Sequence, residues 1–237
     1  GADDAVKVFE RPAGVNELTE IVAYLAGHIT VDPNALTEAD CKAVKDNWRY
    51  NLVGSEADND MSDENIAAKV NQISNNGQSA WKSLIKKPGS DELFEGIMTT
   101  TSNHMTQTYN KLQQMALAYG TSGTKLYKNE ELKADILYGL EWMYQHRYGR
   151  AEMEGTGWRS TSAFNWWDWK IGSPNALIPI MLIVEDDLTA EQKTNYLALF
   201  DKLVPSTYDV GSNALETGRL AIGSALLQNN PKKVLKV

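Results

Sequence analysis

The sequence predicts an all-α protein in which antiparallel helical hairpins pack side by side. Apolar residues recur at intervals of three or four, as at Leu132, Ile136 and Leu140, whereas alternating strand patterns are scarce. Two segments, Thr37–Asp40 and Thr189–Gln192, resemble the capping box that begins many helices. Most connections between the predicted helices are short, which favours antiparallel neighbours.

These signals predict one helical domain over residues 1–237. The run from Ala176 to Val184 is strongly apolar but only about half as long as a membrane-spanning helix, so we expect a buried helix there. The segment 148–173 lacks a clear helical period, and a long irregular segment in a helical chain is a natural place for a functional site. The predicted helices span 15–28, 37–53, 62–85, 103–119, 129–147, 174–185, 189–203 and 213–228.

Composition and charge exclude several classes of function. The net charge of −8 gives no general attraction to nucleic acid or to an anionic membrane. The single cysteine, Cys41, allows no internal disulfide, and its helical neighbours indicate a buried thiol. No cluster with zinc-ligand spacing and no glycine-rich phosphate loop is present. We therefore expect no metal or other cofactor, no nucleic-acid partner and no insertion into a membrane.

One segment concentrates the aromatic residues. Residues 165–174 read Asn-Trp-Trp-Asp-Trp-Lys-Ile-Gly-Ser-Pro and hold three of the seven tryptophans. Adjacent tryptophans on a loop cannot all point into one core, so we expect some of them to line a surface. Flat indole faces match the C–H faces of sugar rings, and the indole N–H can donate to hydroxyls. The pattern is typical of a sugar groove, although tryptophans that pack between helices would give the same composition.

This segment resembles the signature of polysaccharide lyase family 8, the family of hyaluronate, chondroitin and xanthan lyases. The resemblance implies the first part of an incomplete (α/α) toroid, whose later helices and β-sandwich domains this chain lacks. It also implies a secreted enzyme that cleaves a uronate-containing polysaccharide by β-elimination. Further similarity continues in collinear order at residues 45–49, 52–54, 66–69, 81–84, 108–112, 115–119, 125–127, 139–142 and 210–213.

The resemblance implies roles for five residues. Asn213 matches the family's asparagine, whose side-chain amide neutralises the uronate carboxylate; without the resemblance it would be interpreted as a helix cap. Trp166 and Trp167 match the aromatic patch that positions the polymer. Asn165 sits beside them in the expected cleft, and Tyr208 is a looser match for an additional aromatic wall.

The chain also departs from the family pattern. The family usually has an acidic residue where Lys170 stands and a basic residue where Ala214 stands, so substrate contacts near both are expected to differ. The family's catalytic histidine and tyrosine would lie beyond Val237, and we therefore expect this chain alone to be inactive. The chain's own histidines match no catalytic position and are expected to be ordinary surface or packing residues: His28, His104 and His146.

Some alternatives stay open. A glycoside hydrolase with an α/α toroid would need two carboxylates in one cleft, and Asp168 is the only acidic residue of the tryptophan segment. A non-catalytic scaffold that binds carbohydrate or protein would leave the tryptophans buried. We expect a monomer that binds an acidic polysaccharide. Three arginines near the segment either attract that polymer or only increase solubility: Arg147, Arg150 and Arg159.

Overall fold

A computed structural model describes residues 36–98, 100–148, 165–205 and 211–234. Regular structure within these ranges is helical, apart from one antiparallel bridge between Leu84 and Phe94, which confirms the predicted all-α class. Two π-helical turns are present, π1 (Tyr144–Tyr148) and π2 (Asp168–Gly172), together with a 3-10 turn at Glu185–Asp187. The α-helices are α1 Glu38–Val53, α2 Glu64–Lys82, α3 Ser102–Gly120, α4 Glu130–Met143, α5 Ser173–Ile183, α6 Ala190–Leu203, α7 Ser212–Leu227 and α8 Pro231–Val234.

Seven of the eight predicted helices correspond to α1–α7, with ends that differ by a few residues. The predicted helix at 15–28 lies outside the described residues, so a single domain over 1–237 stays a prediction. Both predicted capping boxes are confirmed. The Thr37 and Thr189 hydroxyls accept from the backbone N–H of Asp40 and Gln192, whose side chains accept in return. Each box satisfies helix-start donors that would otherwise lack partners.

The predicted loop at 148–173 is wrong at its C-terminal end, because helical structure begins at Trp166 and runs through π2 into α5. Pro174 explains why this helical segment contains a π-helical turn before α5. Its nitrogen carries no hydrogen, and its ring would clash with the carbonyl of Lys170, four residues earlier, in a regular α-helix. The backbone widens instead, and the N–H of Ser173 donates to the carbonyl of Asp168, five residues earlier.

Helix α5 forms the centre of the core. Residues 176–182 are all buried, as expected for a helix that is apolar on every side. The helix packs against α3 on one side and α7 on another. Cys41 is buried, as predicted. Among the described residues, no helix combines the length and the apolar character that crossing a bilayer demands.

The helix directions bring several helix ends together. Thr106 lies beside Ser173 and Gly120 lies beside Ile183, so α3 and α5 run parallel. The N–H of Lys128 donates to the Tyr119 carbonyl and closes the turn between α3 and α4. The end of α4 therefore returns to the start of α3. The end of α6 also contacts this region through π1 and π2. This end of the helices carries residues 165–172.

Candidate functional site

A buried carboxylate anchors the tryptophan segment. Asp168 is buried, and its two oxygens accept hydrogen bonds of 2.8 Å from the hydroxyls of Ser102 and Thr106 at the start of α3. Ser102 Oγ in turn accepts from the backbone N–H of Asn165 at 2.8 Å. This network, which we call the Asp168 network, holds the segment against Ser102 and Thr106, two residues about one turn apart at the start of α3.

The network holds a tryptophan pair at the surface. Trp166 is half-buried and packs against the core, whereas Trp167 keeps 40% of its surface exposed. The Trp167 indole rests on Gly172. A Cβ at Gly172 would lie 2.7 Å from Trp167 Cζ3 and 2.8 Å from Thr106 Oγ1, closer than real Cβ contacts. The glycine is therefore needed for this position of the exposed indole.

Asn165 has a structural function that its sequence context did not reveal. Its side-chain oxygen accepts from the N–H of Trp167 at 3.1 Å, and its carbonyl accepts from the N–H of Asp168 at 3.1 Å. The residue thus caps the short helical turn that carries the tryptophan pair. Asn165 is itself exposed beside Trp167.

The third tryptophan of the segment belongs to the core. Trp169 is buried and its ring is stacked on Tyr148 of π1, with ring centroids 5.8 Å apart. The Tyr148 hydroxyl donates to the Trp169 carbonyl at 2.8 Å. Burial raises the pKa of Tyr148 well above its usual value. Tyr148 therefore stays protonated and is unsuited to act as a base.

Asn213 lies in the first turn of α7. The cap position is occupied by Gly211, which makes no side-chain bond, and Asn213 is the second residue of the helix. The interpretation of Asn213 as a helix cap is therefore wrong. The Asn213 side chain is partly exposed, and within the described part of the chain its amide has no hydrogen-bond partner. Gly211 has φ +64°, a backbone conformation that L side chains rarely adopt.

The packing of α5 and α7 relates Asn213 to the tryptophan pair. Asn175 accepts from Arg219, and Ile178 packs on Gly223, so the two helices run parallel with paired positions 44 or 45 residues apart. The same offset brings the first turn of α7, with Asn213, level with π2. Contacts between α7 and π2 agree with this register. The tryptophan segment and Asn213 thus lie at the same end of neighbouring elements.

The other residues singled out from the sequence either lie outside the described ranges or make contacts within the fold. Tyr208, Arg150, Arg159 and His28 lie outside the described residues. Arg147 donates to the carbonyls of Asp91 and His146, and its guanidinium lies 5.1 Å from the centre of the Trp142 ring. These contacts give Arg147 a structural function at the end of α4. His104 lies in the first turn of α3, where its N–H donates to Thr101.

The arrangement restricts the chemistry of the site. Asp168 has hydroxyl donors on both oxygens and little exposure, which is unfavourable for a catalytic acid or nucleophile. Across the described ranges, no group of three or more acidic, histidine or cysteine side chains could hold a metal ion. The start of α7 offers the Asn213 amide, with two potential donors, near the positive end of a helix. These are features of a site for an anion beside an aromatic surface.

The chain is similar in sequence and in fold to known polysaccharide lyases. A hyaluronate lyase from Enterococcus faecalis is 30% identical over 190 residues, covering 79% of this chain and 18% of that protein. A xanthan lyase structure from Paenibacillus aligns with a TM-score of 0.74 at 32% identity, over 84% of this chain and 19% of the other. The Streptomyces coelicolor chondroitin AC lyase, solved with chondroitin sulphate, gives a TM-score of 0.70 at 25% identity, over 82% and 26%.

This chain therefore spans only about a fifth to a quarter of the length of these proteins. The aligned structures confirm that its helices form part of an α-helical toroid. The model of the N-terminal alpha-helical domain of polysaccharide lyase family 8 matches residues 48–237. The chain belongs to polysaccharide lyase family 8.

Proposed function

We propose that the full-length protein cleaves a uronate-containing polysaccharide of the hyaluronan, chondroitin or xanthan type by β-elimination. Family membership and the names of the aligned lyases support this reaction class. The observation that carries the proposal for this chain is the register of α5 and α7. It brings the Asn213 amide, which has no hydrogen-bond partner among the described residues, level with the segment that exposes Trp167.

The reaction explains why these two features belong together. A base removes the C5 proton of the uronic acid, the 4-linked oxygen departs, and an unsaturated sugar remains. The C5 proton is adjacent to a carboxylate, so its removal adds negative charge to an existing anion. Donors that neutralise the carboxylate beforehand lower this cost, as preorganised donors do in other enzymes. Asn213 would donate from its side-chain amide, and the N-terminus of α7 adds positive potential.

The tryptophan pair would position the polymer. The exposed face of Trp167 would stack on a sugar ring, and the half-buried Trp166 would form the adjacent wall. Asn165, exposed beside Trp167, would line the same cleft, and Tyr208 is proposed as an additional wall. The exposure of Trp167 counts against a scaffold with buried tryptophans. The hydroxyl donors on Asp168 count against a hydrolase that uses this carboxylate.

The nature of the substrate also bears on where the protein acts. A polymer of this kind is extracellular, so we propose that the protein is secreted or displayed at the cell surface. We propose separately that it acts as a monomer. Because no histidine of the chain matches the family's catalytic position, we expect the 237 residues alone to release no unsaturated product. The ultraviolet absorbance of the unsaturated uronate tests this with the isolated chain.

The test of the proposed function uses the full-length protein with hyaluronan, chondroitin and xanthan as substrates. Asn213→Ala should lower kcat on the cleaved polymer by about a hundredfold or more, since one lost donor to a developing charge commonly has an effect of this size. Asn65→Ala is the matched control, because Asn65 is also the second residue of its helix, α2. Equal activities of both variants, or no unsaturated product from any polymer, would refute the proposal.

A further inference from the structure

We propose that a cleft between the end of α1, the first half of α2 and the end of α3 binds the acetamido group of an N-acetylated sugar. The cleft has a volume of about 260 Å³. Sites that enclose a whole drug-sized ligand measure roughly 300–1,000 Å³, so this cleft suits a side group of a sugar. Its lining residues are Leu52, Val53, Gly54, Asp58, Asn59, Ile66, Lys69, Val70, Ile73 and Thr121.

The floor of the cleft carries a hydroxyl without a partner. Thr121 is the residue that follows α3, and it is only 2% exposed although it lines the cleft. Within the described part of the chain, its Oγ1 is the one buried side-chain polar atom that has no hydrogen-bond partner. A buried polar group without a partner raises the free energy of the folded state. The Thr121 hydroxyl is therefore a donor that a bound carbonyl oxygen would satisfy.

Asn59 supplies a complementary acceptor. Its side-chain nitrogen donates to the Val53 carbonyl and to Ser122 Oγ, each at 2.9 Å. These two bonds fix the orientation of the amide, because a carbonyl accepts only, and no described residue donates to Asn59 Oδ1. Ser122 directly follows Thr121, so the Asn59 amide lies beside the residue with the free hydroxyl. An acetamido group has one carbonyl and one N–H, which match the Thr121 hydroxyl and Asn59 Oδ1.

The remaining walls of the cleft favour an uncharged group with a methyl. Lys69 and Asp58 are the only charged residues of the lining, one of each sign, so the lining has no net charge. A carboxylate or an ammonium group therefore gains little here, whereas the acetamido methyl would bury apolar surface. The aliphatic residues against which the methyl would pack are Leu52, Val53, Ile66, Val70 and Ile73.

The cleft is separate from the tryptophan pair. Thr106, which donates to Asp168, precedes Thr121 by 15 residues on the same helix, which corresponds to about 22 Å. Hyaluronan and chondroitin alternate a uronic acid with an N-acetylated hexosamine, whereas the repeating unit of xanthan contains no amino sugar. Among the substrates of the proposed function, the cleft therefore favours hyaluronan and chondroitin. This choice of polymer rests on the proposed function, whereas the binding of an acetamido group does not.

The experiment titrates the 237-residue chain with N-acetylglucosamine and with glucose, which lacks the acetamido group, and follows binding by nuclear magnetic resonance. N-acetylglucosamine should bind more tightly than glucose. Thr121→Val should raise its dissociation constant about two- to tenfold, because one hydrogen bond is lost. Thr124→Val is the matched control, since Thr124 is also buried but donates to the Ala118 carbonyl and does not line the cleft. Equal dissociation constants of Thr121→Val and wild type, or of the two sugars, would overturn the site.

Urea denaturation separates a ligand-binding hydroxyl from a structural one. Thr121→Val should not lower the free energy of unfolding, because the hydroxyl that it removes has no partner in the protein. Thr124→Val should lower it, because a buried hydrogen bond is lost. An equal loss in both variants would contradict a Thr121 hydroxyl that is available to a ligand.

Further outcomes distinguish this inference from the proposed function. Hyaluronan and chondroitin oligosaccharides should displace N-acetylglucosamine, and displacement by xanthan oligosaccharides alone would overturn the choice of polymer. Selective weakening by Thr121→Val supports the site even when the full-length protein releases no unsaturated product. Normal release of product, together with equal binding of N-acetylglucosamine by Thr121→Val and wild type, eliminates the site and leaves the lyase function intact.

Discussion

The Asp168 network gives a quantitative prediction for Thr106→Val. The substitution keeps the shape of the buried side chain but removes the hydroxyl that donates to Asp168 at 2.8 Å. The carboxylate keeps only the Ser102 donor and stays buried. Hydrogen bonds to charged groups contribute about 1.5–3 kcal/mol, so the free energy of unfolding should fall by about that amount. Urea denaturation followed by circular dichroism measures the change.

Thr108→Val is the matched control for this measurement. Thr108 is also buried on α3, but its hydroxyl donates at 2.7 Å to the His104 carbonyl of its own helix. That carbonyl also accepts the regular backbone bond, so loss of the hydroxyl should change the free energy of unfolding by less than about 1 kcal/mol. Equal losses in both variants would refute a special contribution of the Asp168 network.

Three further predictions concern other parts of the chain. Gly172→Ala should displace the Trp167 indole, which near-ultraviolet circular dichroism detects, and should reduce stability by about 1–3 kcal/mol through overpacking; an unchanged spectrum would contradict the tight contact. Glu185→Gln should reduce the free energy of unfolding in urea by about 3–5 kcal/mol, because this buried carboxylate is shared by three basic side chains. A loss below about 1 kcal/mol would contradict a stabilising role of these ion pairs. Hydrogen bonds from Thr37 hold the pKa of Asp40 below its usual 3.8. The stabilisation that the ionised Asp40 gives the folded state is therefore fully present above pH 3.8 and is lost as the pH falls through the lowered pKa. The stability difference between wild type and Asp40→Ala should therefore be present at about pH 6 and shrink towards about pH 2, and a difference that grows on acidification would contradict it.

The helices could be predicted from local patterns, because their causes are local. Apolar periodicity and the Thr37 and Thr189 capping boxes act within a few residues of the chain. The start of the helix at Trp166 was not predicted, because its cause is not periodic. It depends on Pro174, which widens the turn before α5, and on a cap by Asn165.

The site could be predicted only in part. The exposure of Trp167 follows from the crowding of three tryptophans in one segment. The hydroxyl donors to Asp168 come from Ser102 and Thr106, more than sixty residues earlier, and no local pattern announces them. Gly172 is visible in the sequence, but its contact with the Trp167 indole depends on the width of the π2 turn.

We propose that Asn213 and the tryptophan pair bind the same acidic sugar chain. Nuclear magnetic resonance tests it directly, by titration of the 237-residue chain with uronate oligosaccharides. The signals to follow are the side-chain amide of Asn213 and the indole N–H of Trp167, assigned with Asn213→Ala and Trp167→Phe. We predict that both signals shift with a single dissociation constant. A shift of the indole signal while the Asn213 amide stays unchanged at saturation would contradict the shared site.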